Sequence, residues 1–420
     1  MVPETENVGT NWAATYSYRA QSVVSVGSTQ DVVDLVTAGG RAKALGTRHS
    51  FNDLADTTGI LLDMSGLSFE PVLDEDLGRV SVPAGISYGA LGRFLHGRGW
   101  ALHNLGSLPH ISVGGAIATA THGSGSRNKN LSTQVCGMEL VTGRGHVISL
   151  DEDDPRFLGA VVGMGALGIV TRVTLRIEPT YSVRQDVFLD MTWADLTELD
   201  EIMDSVYSVS LFTRWRGVVD QVWLKSRGTD NDPDPVPPGD STPAGAKVMS
   251  PASDGLDNTT TQGGLLGRWN ERLPHFRFDE TPSNGDEIQS EYFVARQDGL
   301  AAIRALEPLA GAIAPYLLIS ELRTVAADEL WLSPAFERDS LTLHFTWKNE
   351  PEAVRVLLAV IEDALRPFNA RPHWGKWFAM DRAQIVPLYE RLPDFIRLAH
   401  ELDPDGQFAN DYLTRILGLT

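Results

Sequence analysis

A single cysteine, Cys136, stands among 420 residues, so no internal disulfide can form and no cysteine cage for a metal can be built. Basic residues are scarce as well: 35 Lys+Arg face 55 Asp+Glu, a formal charge of −20. So acidic a surface repels phosphate backbones and anionic lipids, and neither nucleic acid nor membrane is an expected partner. Apolar runs fall well short of the ~18 residues that a helical span needs, and Met1–Thr10 lacks the basic and apolar regions of a secretion signal. The expected location is the cytoplasm. No fibrous or low-complexity period runs through the chain either: 39 Gly and 23 Pro mark turns, and 42% hydrophobic with 21% charged residues is an ordinary globular composition.

What is present reads as an α+β protein. The length is two to three times the usual ~150-residue domain, which predicts two domains. Residues 10–179 combine short strand-like runs, helical patterns and a Gly/Ser/Thr-rich middle. A helix is expected from about Gln30, started by Ser28 or Thr29 and stopped at Gly39/Gly40, and a second over Tyr88–Gly99. Short strands are expected at Arg41–Leu45, Arg79–Gly85 and Ile169–Ile177. Residues 180–370 change texture. Strand patterns at Ser208–Trp215, Gln221–Ser226, Ser290–Arg296, Leu317–Thr324 and Leu341–Lys348 alternate with amphipathic helices at Asp298–Ile313 and Pro351–Leu365, and an antiparallel sheet backed by helices is the favoured arrangement. Residues 227–264, polar and proline-rich, are expected to form a surface excursion and the most mobile part of the chain. Residues 371–420, largely helical, are expected to return to the first domain.

Several stretches carry chemistry. Gly163–Gly168 matches the glycine spacing of a dinucleotide loop, but a strand follows it where a helix should, so a tight turn is the better reading. Gly46–Asn52 (GTRHSFN) could wrap a pyrophosphate in backbone N–H groups or be a plain turn with a solvated His49. Asn104–Asn128 holds His110, His122, four serines, two threonines and five glycines in 25 residues. The glycines allow close backbone approach and the hydroxyls offer neutral donors, which suits a phosphate-bearing cofactor. With no carboxylate in that stretch and no zinc-like spacing, no metal is expected. On the later strands, Glu321 and Arg323 share one face, as do His344 and Thr346. They form either a structural ion-pair cluster or a site. Arg371–Phe378 puts His373, Trp374 and Lys376 at the domain junction, as anchors or as site residues.

Eight of these segments, in order along nearly the whole chain, resemble one family. They are Thr10–Ala13 (TNWA), Leu45–Asn52 (LGTRHSFN), Ser107–Gly125 (SLPHISVGGAIATATHGSG), Leu167–Thr171 (LGIVT), Tyr207–Thr213 (YSVSLFT), Glu321–Asp328 (ELRTVAAD), His344–Trp347 (HFTW) and Arg371–Lys376 (RPHWGK). The chain resembles the flavoproteins related to vanillyl-alcohol oxidase, and within them the bacterial alditol oxidases. The resemblance implies a two-lobed FAD domain with an α+β cap whose sheet covers the reactive ring. It implies flavin contacts at Ala44, Leu45, Gly46, Thr47, Arg48, His49, Ser50, Ser107, Ser112, Gly115, Thr119, Ile169 and His373, with FAD covalently attached through His49. Arg48 departs from relatives that carry glycine before this histidine. Substrate contacts are implied at Ser107, Glu321, Arg323, His344, Thr346 and Lys376.

The activity implied is oxidation of the terminal hydroxyl of xylitol- or sorbitol-like alditols, with O2 reduced to hydrogen peroxide, by a cytoplasmic monomer. A neutral polyol needs charged and hydroxyl partners to replace its hydration, and alcohol oxidation needs a base beside an electron sink. Lys376 and His344 are both candidates for the base, and Arg323 for stabilising charge on the reduced flavin. An aldonolactone oxidase or dehydrogenase of the same fold is the first rival reading, and a flavin-binding protein without turnover the second.

Overall fold

The computed structural model describes residues 8–229, 231–245, 250, 258–281 and 285–420. Near the N-terminus, β1 (Ser22–Ser25), β2 (Ala42–Leu45) and β3 (Ile60–Asp63) form a small parallel sheet in the order β1-β3-β2. The crossover helix α1 (Thr29–Thr37) starts where the sequence places it: Ser28 accepts from the Asp31 N–H, and Asp31 returns the bond in a reciprocal capping box. Val32 and Val36 bury its inner face, and Gly39 and Gly40 release the chain at positive φ.

A five-stranded antiparallel sheet follows, made of β4 (Val72–Asp74), β5 (Arg79–Pro83), β6 (Val135–Val141), β7 (Val147–Asp151) and β8 (Ile169–Arg176) in the order β4-β5-β8-β6-β7. Between β5 and β6 the chain runs through α2 (Tyr88–His96) and then a short helix, α3 (Val113–Ala118), inside the stretch expected to be loop. Ser112 precedes α3, whose buried Val113, Ala116 and Ile117 supply enough apolar surface to stabilise two turns of helix among glycines.

The rest of the chain builds one antiparallel sheet of nine strands among the described residues. Its long members are β9 (Ser182–Thr192), β10 (Ser208–Thr213), β11 (Val218–Arg227), β12 (Glu287–Ala295), β13 (Leu317–Val325) and β14 (Ser340–Lys348), in the order β9-β11-β10-β13-β14-β12. Helices such as Pro351–Leu365 cover one face with Val354, Leu357, Leu358 and Ile361. The strands are buried on both sides, because the opposite face closes over a cavity.

Two expectations are modified. The helix expected over Asp298–Ile313 breaks after Leu306, since Pro308 has no N–H to donate and its ring crowds the preceding turn; α-helix resumes only at Ala310. The expectation for 227–264 falls partly on residue 230 and on 246–249 and 251–257, outside the described residues. The described remainder is tied to the sheet edge: Thr242–Pro243 pairs with β9, and Thr259, Thr260 and Gln262 are buried. For Thr260 a hydrogen bond to the main chain offsets the cost of burial, its Oγ1 donating to Pro274 O at 2.7 Å.

The C-terminal segment returns to the first sheet. The Ala42 N–H donates to Gln407 O, and Asn410 Nδ2 reaches the carbonyls of Asp53, Leu54 and Asp56.

Candidate active site

Register places the charged residues. On the cavity face of the large sheet, Phe212, Glu321, His344 and Glu291 stand opposite one another across β10, β13, β14 and β12. One step along lie Ile319, Thr346 and Gln289, and one step the other way Arg323, Thr342 and Phe293. Because side chains alternate with a period of two, all of these project to the same face.

Glu291 is the hub. It has no exposed surface, and its Oε1 takes Arg323 Nη2 at 2.9 Å and lies 3.2 Å from His122 Nε2, while Oε2 meets Lys376 Nζ at 2.6 Å. Burial pushes this carboxyl up, but Lys376, His122 and Arg323 together hold it well below the usual carboxylate range. Burial also opposes ionisation of Glu321, and Arg323 and His275 outweigh it, with His275 Nε2 at 2.7 Å from Glu321 Oε1. Lys376 is lowered, first by burial and then by Arg323, with Glu291 pulling the other way. His344 falls to about 3, through burial and the charge of Lys376, and is neutral at pH 7. Its Nε2 lies 3.2 Å from Gln289 Oε1, and its Nδ1 is buried without a protein partner.

The opposing wall is mostly main chain, small side chains and hydroxyls; its cations, Lys43 and Arg48, are tied to main-chain carbonyls of Met164, Gly165, Val8 and Thr10. This wall comprises Lys43–Ser50, Ser107, Ser112, Gly114–Thr119 and the turn Gly163–Gly168. A Cβ on Gly46 would stand 2.4 Å from Ser112 Oγ, so only glycine lets these two segments meet. Thr47 Oγ1 accepts from the Ser112 N–H at 3.2 Å and lies 3.0 Å from His49 Nδ1. His49 stacks on Trp12 at 5.3 Å, and its Nε2 is buried with no partner. Burial, and next the charge of His110, lower it to about 4. Arg48 occupies the left-handed region at φ 63° that a glycine would take freely. Its Nη1 donates to Val8 O at 2.7 Å, an anchor that offsets the backbone strain.

The two walls join at residues 371–376. The Phe51 N–H donates to Gly375 O, Asn52 Nδ2 reaches Trp374 O and Lys376 O, and the His373 N–H donates to Glu291 O.

The sequence-derived candidates Ala44, Leu45, Gly46, Thr47, Arg48, His49, Ser50, Ser107, Ser112, Gly115, Thr119, Glu321, Arg323, His344, Thr346, His373 and Lys376 all line this one cavity. Ile169 does not. Its side chain packs with Val26, Val32 and Val141 in a separate core, while its neighbours Gly168 and Val170 line the cavity, as strand alternation requires. His110 and His122 diverge, toward Phe278 and Phe293 respectively, and no group of three possible metal ligands gathers among the described residues. Glu291, His275 and Gln289 were not singled out. The alternation Glu287, Gln289, Glu291 in an otherwise apolar strand carried a signal for two of them; nothing local marked His275.

A long cleft rich in glycine, hydroxyls and main-chain donors, with an unpartnered imidazole nitrogen, fits a phosphate-bearing planar cofactor. Comparison with known proteins agrees. Residues 20–151 match a family described as an FAD binding domain, and residues 284–416 one described as D-arabinono-1,4-lactone oxidase. Alditol oxidase of a Streptomyces species is 42% identical, covering 97% of this chain and 98% of that one. L-gulono-1,4-lactone dehydrogenase of Mycobacterium tuberculosis is 29% identical, covering 98% and 99%. The crystal structure of a cholesterol oxidase from B. sterolicum aligns with a TM-score of 0.78 at 14% identity, over 98% of this chain and 96% of that one, a likeness of fold alone. Fold and site thus define an FAD-binding flavoprotein of the vanillyl-alcohol oxidase type. With 42% identity from end to end, the chain belongs to the alditol oxidase family.

Proposed function

We propose that this protein oxidises the terminal primary hydroxyl of alditols such as xylitol and sorbitol to the aldose, with O2 reduced to H2O2. The observation that carries the reading is the row Glu321–His344–Glu291, flanked by Arg323, Thr346 and Lys376, facing a wall that holds Ser107 and His49. On this reading residues 10–179 hold the flavin, 180–370 form the cap, and 371–420 tie the two together. When bound, FAD supplies the acceptor for the hydride and the route for electrons to oxygen.

The side chains do the rest. Glu321 and Thr346 accept and donate to hydroxyl groups along the chain of the polyol, in place of water. Lys376 Nζ is the base: its lowered proton affinity keeps an amine lone pair within reach, while one N–H remains on Glu291 Oε2. His344, far too weak a base at about 3, contributes Nδ1 as an acceptor for a substrate hydroxyl. Arg323 keeps its charge and stabilises negative charge that develops in the cavity. His49, neutral and with Nε2 free, is the point of covalent attachment to the flavin. The enzyme works as a cytoplasmic monomer; among the described residues no helix is long and apolar enough to cross a membrane.

Supplying xylitol in air is expected to yield hydrogen peroxide, and yellow protein that makes none with any alditol would overturn the reading. The match of residues 284–416 to a lactone oxidase family favours aldonolactones as the alternative, so lactones belong in the same assay with oxygen and an artificial electron acceptor compared. Acid-precipitated protein should keep its colour, and His49→Ala should lose it.

A further inference from the structure

We propose that His275, held by Lys225, is a positioning residue that fixes both the Glu321 carboxylate and the Ser107 main chain against an alditol. The inference rests on the substrate reading above and extends it to a segment outside the conspicuous motifs.

Lys225 sits on β11, and its Nζ has three acceptors: Leu273 O at 2.5 Å, Pro274 O at 3.0 Å and His275 Nδ1 at 3.1 Å. Protonated, the amine gives one hydrogen to each; burial lowers Lys225 well below the ordinary lysine value, with Glu321 pulling the other way, and in either state the Glu321 carboxylate calls for the ring proton on Nε2. With Nδ1 accepting, the single imidazole proton lies on Nε2, which is 2.7 Å from Glu321 Oε1. The other tautomer would press a lone pair against a carboxylate oxygen at that distance. Burial and the nearby Lys225 charge lower His275 to about 4, so the ring is neutral at pH 7 and gives one hydrogen bond only. Trp223 and Phe212 hold it edge-on, at 5.1 and 5.7 Å between ring centroids.

The main chain of the same segment reaches the other wall. The N–H groups of His275 and Phe276 both donate to Ser107 O, at 3.0 and 3.3 Å, and Arg323 Nη1 donates to Ser107 Oγ at 3.3 Å. One residue therefore couples a carboxylate on the sheet to the Ser107 carbonyl on the facing wall, while Arg323 holds the Ser107 hydroxyl. Stability alone is a poor account of this chain of groups. Buried ionic networks replaced by apolar residues of similar volume are commonly as stable or more so, because desolvation consumes the Coulombic gain. Aiming Glu321 is what the arrangement accomplishes.

The test uses flavin-loaded full-length protein. His275→Phe keeps the ring and its aromatic neighbours and removes the donor. The KM for xylitol should rise about 10–100-fold, the loss expected for one hydrogen bond to a charged group, with kcat changed much less. His275→Gln, which puts an N–H at a similar reach, should recover most of that loss, and Lys225→Met should raise KM in the same direction. An unchanged KM in His275→Phe would overturn the inference. So would equal losses in kcat and KM that accompany a lower melting temperature and that His275→Gln does not rescue. If the unchanged protein oxidises no alditol, the substrate reading fails by itself, and the positioning claim is judged on the Nε2 proton. An exchange-protected, downfield imidazole N–H signal that is lost in His275→Phe and moves in Lys225→Met and Glu321→Gln supports it; no such signal overturns it.

Discussion

The cavity has two walls built on opposite principles. One, from Lys43–Ser50, Ser107 and Gly114–Thr119, presents mostly main chain, small side chains and hydroxyls, with the Lys43 and Arg48 side chains tied to main-chain carbonyls. The other, from β10, β12, β13 and β14 with the 371–376 segment, concentrates Glu291, Glu321, Arg323 and Lys376 within a few ångströms. A wall mostly of main-chain and hydroxyl dipoles binds a large ligand by shape and many small contacts, and tolerates single losses. A wall of buried charges is all or none, because each member is the counterion of the next.

The difference can be broken most severely at Glu291. Glu291→Gln leaves Arg323 and Lys376 buried without their shared counterion, and should cost about 3–5 kcal/mol of stability, measured by denaturant unfolding. On the main-chain wall, Ser112→Ala should cost under about 1.5 kcal/mol. Lys376→Met should lower kcat by about 10²–10⁴-fold with the flavin absorption retained. In the unchanged protein, kcat/KM should climb with pH until Lys376 has lost its proton, at a pH below the ordinary lysine value. Thr346→Val, which removes one hydroxyl at nearly constant volume, should raise the KM for xylitol about 2–10-fold. Should Ser112→Ala prove as damaging as Glu291→Gln, the contrast between the walls is wrong.

Much of this was legible in the residues themselves. The helix box at Ser28–Asp31, the strand alternation that puts Glu321 beside Arg323 and His344 beside Thr346, and the turn before Ile169 are local signals, and local geometry realised them. The varied connections of the later strands fitted a parallel sheet as well as an antiparallel one; antiparallel was the favoured reading, and the register is antiparallel. Glu291 was harder. A glutamate in a strand declares its role only when the register shows Arg323 and Lys376 converging on it from chain positions 32 and 85 residues away. His275 lies in a stretch without periodicity and Lys225 in a strand whose pattern does not mark it, and tertiary contact alone joins them. At Arg48, hydrogen bonds to Val8 O and Thr10 O hold an arginine in the left-handed region that glycine adopts freely. Pro308 was visible in the sequence, and its consequence for the helix was missed by reading the apolar spacing without the backbone donor.

The central claim is that the charged wall orients a sugar alcohol for oxidation while the main-chain wall holds FAD. Mixing oxygen-free yellow protein with xylitol and following the flavin absorbance tests it most directly. Bleaching by xylitol, faster than by any aldonolactone, lost in Lys376→Met and reversed by air with release of peroxide, is the predicted result. A flavin that stays oxidised with every alditol, or is bleached only by lactones, would contradict it.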